Sequence, residues 1–73
     1  MGIRHVVTIQ VAPGRSVDFA SAFKALQTIA QGEEGCEQYE LFGSLDDPDK
    51  VVLLERWASQ ASLDAHMERE RSG

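Results

Sequence analysis

The stretch Val51–Trp57, VVLLERW, constrains the fold more than any other part of the chain. Side chains alternate across a β-strand, so Val51, Leu53 and Trp57 face one way while Val52 and Leu54 face the other. Both faces ask for burial. A strand of this kind needs a layer on each side of its sheet.

The rest of the chain supplies one such layer. Ile3 to Val11 is rich in β-branched residues, with Ile3, Val7, Ile9 and Val11 on one face and Val6, Thr8 and Gln10 on the other, and Ala12-Pro13-Gly14 ends it as a turn. Ser16 is then placed to cap a helix whose Phe19, Ala22, Phe23, Leu26, Ile29 and Ala30 recur at three-and-four spacing as one buried stripe. Gly32 or Gly35 is available to close that helix in the left-handed conformation. Cys36 to Gly43 reads as a second strand, joined to the third through SLDDPD, a turn rich in Asp and Pro. Ser59 caps a shorter second helix in which Leu63 and Met67 stack one turn apart. The order is β-α-β-β-α in a single domain over residues 1–73. Two helices cover one sheet face only, so the second layer is expected from a homodimer whose sheets pack face to face.

Composition narrows the function. A 73-residue chain buries only about 60% of the surface it exposes when unfolded, which again favours a partner chain. Seven Lys and Arg against twelve Asp and Glu give a formal charge of −5. Nucleic-acid binding draws on clustered basic residues and is not expected. No apolar run reaches the roughly 18 residues of a membrane helix, and the N-terminus has neither a cleavage site nor a myristoylation pattern. A cytoplasmic protein is expected, without a membrane partner. The single Cys36 forms no intrachain disulfide and reads as a small strand residue. DDPD lacks the spacing and glycine of a calcium loop, GEEG sets carboxylates where a phosphate would need free amides, and no zinc-type spacing occurs. No metal or nucleotide cofactor is expected.

VAPGR after the first strand, EEGCEQYELFGSLDDPDK, and LLERWASQASLDAH with its Glu-x-Trp and Ala-His together resemble the antibiotic biosynthesis monooxygenase family. They stand in the family's order from about Val6 to His66. The resemblance implies a ferredoxin-like α+β domain that pairs into a dimeric α+β barrel. It also implies a further His and a fourth strand beside the first, whereas this sequence stops at Gly73. The first strand is therefore expected to be an open sheet edge, either covered by a partner or belonging to a shortened domain. The haem-degrading branch of the family uses an Asn in the first strand and the later His, but this sequence contains no Asn and has Arg69 and Arg71 in that region. Haem degradation is disfavoured.

The function implied is that of a small cofactor-independent monooxygenase oxidising an aromatic polyketide, such as an anthrone, or a quinol. The alternative is a non-catalytic dimeric module of the same fold that binds a small molecule or another protein. Cofactor-free oxygenation needs a dry pocket, a base against the substrate and stabilisation of developing negative charge. His66 is the first candidate base, placed at the edge of the apolar stripe and so at a pocket rim; an equally ordinary reading is a structural His that ties a helix to a strand. Glu55, on the same strand face as Trp57, is the second, if burial raises its pKa. Trp57, Tyr39 and Phe42 are the candidate substrate-binding aromatics, with Trp57 read as packing first and pocket wall second. His5, near the end of the first strand, is a weaker candidate. Arg4 and Arg56 are possible anion partners.

Overall fold

A computed structural model describes residues 2–72, and in it the alternating segments form one antiparallel sheet. The strands are β1 (Ile3–Gln10), β2 (Cys36–Gly43) and β3 (Lys50–Trp57), and the helices are α1 (Ser16–Gln31) and α2 (Gln60–Ser72). The element order is β1-α1-β2-β3-α2, an α+β architecture. β3 is central, in the order β1-β3-β2. Ile3 pairs with Trp57, His5 with Glu55 and Val7 with Leu53 across β1 and β3, while Tyr39 of β2 stands opposite Glu55 on the other side. Among the described residues β1 pairs with β3 alone.

The period-two pattern sorts these residues into two faces. Tyr39, Leu53 and Trp57 meet Ala30 of α1 and Leu63 of α2 in the core, with Trp57 fully buried at 0% exposure. Both helices therefore lie on that face. On the reverse face Val6 remains 54% exposed and Phe42 45% exposed, beside half-buried Val52 and Leu54. β3 thus has one covered and one bare apolar face, as its two-sided pattern required. Among the described residues no helix is long and apolar enough to cross a membrane.

Local chemistry explains the boundaries, with two differences from expectation at α1. Ser59 caps α2 as its sequence position suggested, its Oγ accepting from the Ser62 amide at 3.2 Å. Ser16 does not cap α1. The turn closed by the Arg15 amide on the Ala12 carbonyl runs straight into the helix, so Arg15 is the capping position and no side chain bonds there. Gly32 leaves α1 with an ordinary right-handed backbone, and the left-handed residue is Gly35, at φ 84°. Gly35 has a second constraint, because a Cβ there would stand 2.1 Å from Ser62 Oγ. The absence of a side chain lets the start of α2 sit against the entry to β2.

The apolar stripe of α1 is also less buried than its spacing implies. Ala30 is buried and Phe19 and Phe23 are half-buried, but Leu26 and Ile29 are 58% and 65% exposed. The helix packs over β2 and leaves these two residues overhanging a space between α1, α2 and β1. That space is the candidate site.

Candidate active site

The cavity has a volume of about 630 Å³, within the range of small-molecule sites. Val7 and Ile9 of β1, Leu53 of β3, and Phe23, Leu26 and Ile29 of α1 give it mainly apolar walls. Exposed Leu26, Ile29 and Met67 lie at its mouth. The polar groups collect where α2 crosses the sheet.

His66 is 3% exposed, deeper than the rim position read from the sequence. The i, i+3 step from Leu63 turns it inward, where its ring packs 4.7 Å from the Trp57 ring and edge-on to Tyr39 at 5.4 Å. Nδ1 lies 3.1 and 3.3 Å from the two oxygens of Glu33. A carboxylate only accepts, so Nδ1 carries the proton and donates it to this bond. Glu33 also accepts from Arg69 Nη1 at 2.5 Å, which holds the carboxylate between two donors from successive turns of α2. The other ring nitrogen, Nε2, stands 3.9 Å from Glu55 Oε1 and against the Glu70 carboxylate, yet it makes no aligned hydrogen bond.

Glu55 is as buried as His66, at 3%. Its Oε1 accepts from the Trp57 indole N–H at 2.9 Å, a contact that follows from the two residues sharing one face of β3. Oε2 lies 3.4 Å from His5 Nδ1, the cross-strand neighbour set by the β1–β3 register. That nitrogen is likewise buried without a hydrogen bond. A buried polar group left unpaired costs roughly 1–3 kcal/mol. Both such nitrogens face the Glu55 carboxylate, and His66 Nε2 faces that of Glu70 as well.

Tyr39 completes the aromatic side of the cavity. Its ring is parallel to Phe23 within 2°, with centroids 5.8 Å apart. Burial, reinforced by Glu70, Glu55 and Glu33, pushes its phenol well above the ordinary range, so the group remains a hydrogen-bond donor at all moderate pH values. Burial also raises the thiol of Cys36, with Glu33 adding to the effect. Cys36 is half-buried, its Sγ near the Gln38 carbonyl at 3.7 Å.

The structure brings His66, Glu55 and Tyr39 to one cavity. Trp57 lies behind the wall, beneath His66 and bonded to Glu55, without lining the space itself. Phe42 is elsewhere: three positions beyond Tyr39 on the same strand, it falls on the bare sheet face and cannot line this cavity. Arg56 pairs with Glu37 at 3.1 Å, and Arg4 with Gln38, both away from the site. Glu33, Glu70 and Arg69 are additional members of the site that sequence reading missed. Glu70 is readable in retrospect as i+4 from His66 on a helix, whereas Glu33 lies in an irregular turn that carries no periodic signal. Among the described residues no three His, Cys, Asp or Glu side chains converge with metal-ligand spacing.

The sequence model of the family described as antibiotic biosynthesis monooxygenase matches residues 2–72. YcnE of Bacillus subtilis (strain 168), named as a candidate monooxygenase, is 33% identical over 60 residues, which cover 82% of this chain and 63% of the relative. A conserved protein from Methanosarcina mazei Go1 superposes with a TM-score of 0.86 at 34% identity, over 92% of this chain and 66% of that one. The Pseudomonas aeruginosa protein PA3566 gives a TM-score of 0.78 at 29% identity, over 89% of this chain and 66% of its own. The chain therefore spans just under two thirds of the length of these relatives.

Proposed function

Because this chain belongs to the antibiotic biosynthesis monooxygenase family, we propose that its cavity oxidises a neutral, electron-rich aromatic, an anthrone or a hydroquinone, with dioxygen as oxidant. The observation that carries this reading is the placement of His66 in the cavity wall: Nδ1–H is held by Glu33, while Nε2 faces the Glu70 and Glu55 carboxylates without an aligned hydrogen bond. Glu70, whose side chain is 60% exposed, swings aside as substrate enters; Nε2 is then the atom that takes a substrate proton, and the Glu33 carboxylate stabilises the imidazolium that results.

The chemistry then belongs largely to the substrate. Nε2 removes a proton from the anthrone methylene, and the carbanion passes one electron to dioxygen. The resulting radical pair combines at carbon to form a peroxide anion. Imidazolium returns its proton to the peroxide, the second methylene hydrogen leaves as a proton, and the O–O bond breaks. Overall, CH₂ and O₂ become C=O and H₂O. Tyr39, kept protonated by its surroundings, is placed to donate to the substrate oxygen on which negative charge grows. The walls formed by Val7, Phe23 and Leu53 exclude water from the reactive anion.

A second copy of the chain is the proposed partner. Val6, Phe42, Val52 and Leu54 form an apolar strip on the bare sheet face, and sheet-on-sheet packing between two copies buries it.

The test is product analysis after turnover under isotopically labelled dioxygen. One labelled atom in the product and one in water supports the monooxygenase reading. Tight binding of the aromatic without label in any product contradicts it and favours a binding module.

A further inference from the structure

Three carboxylates surround the His66 ring, and they differ in their freedom to move. The Glu33 side chain is 12% exposed and held by both His66 Nδ1 and Arg69, and that of Glu55 is 4% exposed and held by the Trp57 indole. Glu70, one turn beyond His66 on α2, is 60% exposed, and among the described residues its ion-pair partner is His66 Nε2. The cationic side chains on either side of it are engaged elsewhere, Arg69 with Glu33 and Arg71 with Glu68. Of the three carboxylates, Glu70 is therefore the one that can leave the ring. Met67 and Glu70 also line both the cavity and an outer groove completed by Asp64 and Arg71. These two side chains are the partition between the cavity and the solvent side of α2.

We propose that Glu70 is a latch on the cavity mouth, fastened when His66 carries protons on both ring nitrogens and released when Nε2 has none. With Nδ1–H committed to Glu33, the neutral ring presents a lone pair at Nε2, and a lone pair and a carboxylate repel one another. Uptake of a proton at Nε2 turns the same contact into an ion pair and draws Glu70 across the mouth. The other groups facing the ring do not reproduce this switch. Glu33, from the turn after α1, and Glu55 of β3 are anchored, and Arg69 is tied to Glu33. Tyr39 of β2 keeps its proton, and His5 of β1 meets the ring only through Glu55. The latch rests on the reading of His66 as the proton acceptor of the cavity and adds an order of events: a proton taken from substrate closes the mouth over the anion it leaves behind.

The experiment is equilibrium binding of N-phenyl-1-naphthylamine, an apolar fluorescent probe that stays neutral throughout, at about pH 5.5 and about pH 8, on either side of the ordinary histidine range. Wild type, Glu70→Ala and Glu68→Gln are compared without oxygen, with circular dichroism at each pH to establish that each is folded. The wild type is expected to bind the probe roughly fivefold more tightly at the higher pH, the scale of one partly exposed ion pair. Glu70→Ala is expected to bind equally, within about twofold, at both pH values and at the tighter wild-type level. Glu68→Gln removes the same charge from the same helix without touching His66 and is expected to keep the wild-type difference. Equal wild-type affinities at the two pH values, a difference that survives Glu70→Ala or vanishes in Glu68→Gln, or no probe binding at the higher pH would overturn the latch. The expected pattern in a protein that consumes no dioxygen would support the latch and sink the oxygenase reading alone.

Discussion

The indole N–H of Trp57 donates to Glu55 Oε1 at 2.9 Å inside the core, two residues apart on the same face of β3. Strand alternation alone creates the contact, and it places a carboxylate at the base of the cavity with one oxygen already committed. Trp57 thus holds Glu55 and packs against His66 without lining the cavity.

Trp57→Phe therefore removes a hydrogen-bond donor to a buried acid and leaves a void beside it. A loss of about 2–4 kcal/mol in folding stability is expected. Urea denaturation followed by circular dichroism measures it. A loss under about 0.5 kcal/mol, the scale of a neutral surface change, would show that the contact does not constrain Glu55.

Gly35 offers a sharper backbone test. Its left-handed φ and the Ser62 side chain both oppose a Cβ. Gly35→Ala is expected to cost about 1–3 kcal/mol, whereas Gly43→Ala, with open space around it, is expected to stay near neutral or to stabilise slightly. Thermal melts of both variants compare them directly. Equal effects would contradict the close approach of α2 to the start of β2.

Tyr39 is the single tyrosine of the chain, so its ionisation is followed in the ultraviolet with no other phenol contributing, the Trp57 background being subtracted. Its folded-state phenol titrates above the ordinary value because of burial and the nearby glutamates. An acid whose folded pKa is raised adds no pH dependence below its unfolded pKa, about 10. Above that value the unfolded chain loses the proton first, and stability falls as pH rises. The expected record is no phenolate absorbance at 295 nm until the protein unfolds. Phenolate appearing near pH 10 in the folded protein would contradict the burial of Tyr39 among carboxylates.

Phe42 and Val6 test the bare sheet face independently of the cavity. Phe42→Lys or Val6→Lys puts a charge into the proposed dimer contact, on the opposite side of the sheet from His66. Light scattering is expected to show a dimer in the wild type and a monomer in either variant. A monomeric wild type would refute the sheet-to-sheet pairing.

Much of this arrangement was legible in the sequence. The period-two pattern of β3 paired Glu55 with Trp57 on one face, Ser59 marked the start of α2, and the spacing from Leu63 put His66 at the edge of the apolar stripe, although its depth of burial was not legible. The same period also separates Phe42 from Tyr39, since an odd spacing along a strand puts two residues on opposite faces. Other features depend on tertiary placement. His5 meets Glu55 only through the β1–β3 register, and Glu33 reaches His66 only because the turn after α1 folds under α2. The exposure of Leu26 and Ile29 reflects where α1 crosses the sheet, which helical spacing does not encode.

The most direct test of the central claim is dioxygen consumption by the chelator-treated protein with anthrone or a hydroquinone, measured for the wild type and His66→Ala against the spontaneous rate. The account predicts uptake above background that survives the chelator and falls by about 10²-fold or more in His66→Ala, the scale of a lost general base. Uptake no faster than background from the folded wild type, or uptake unchanged in His66→Ala, would contradict it.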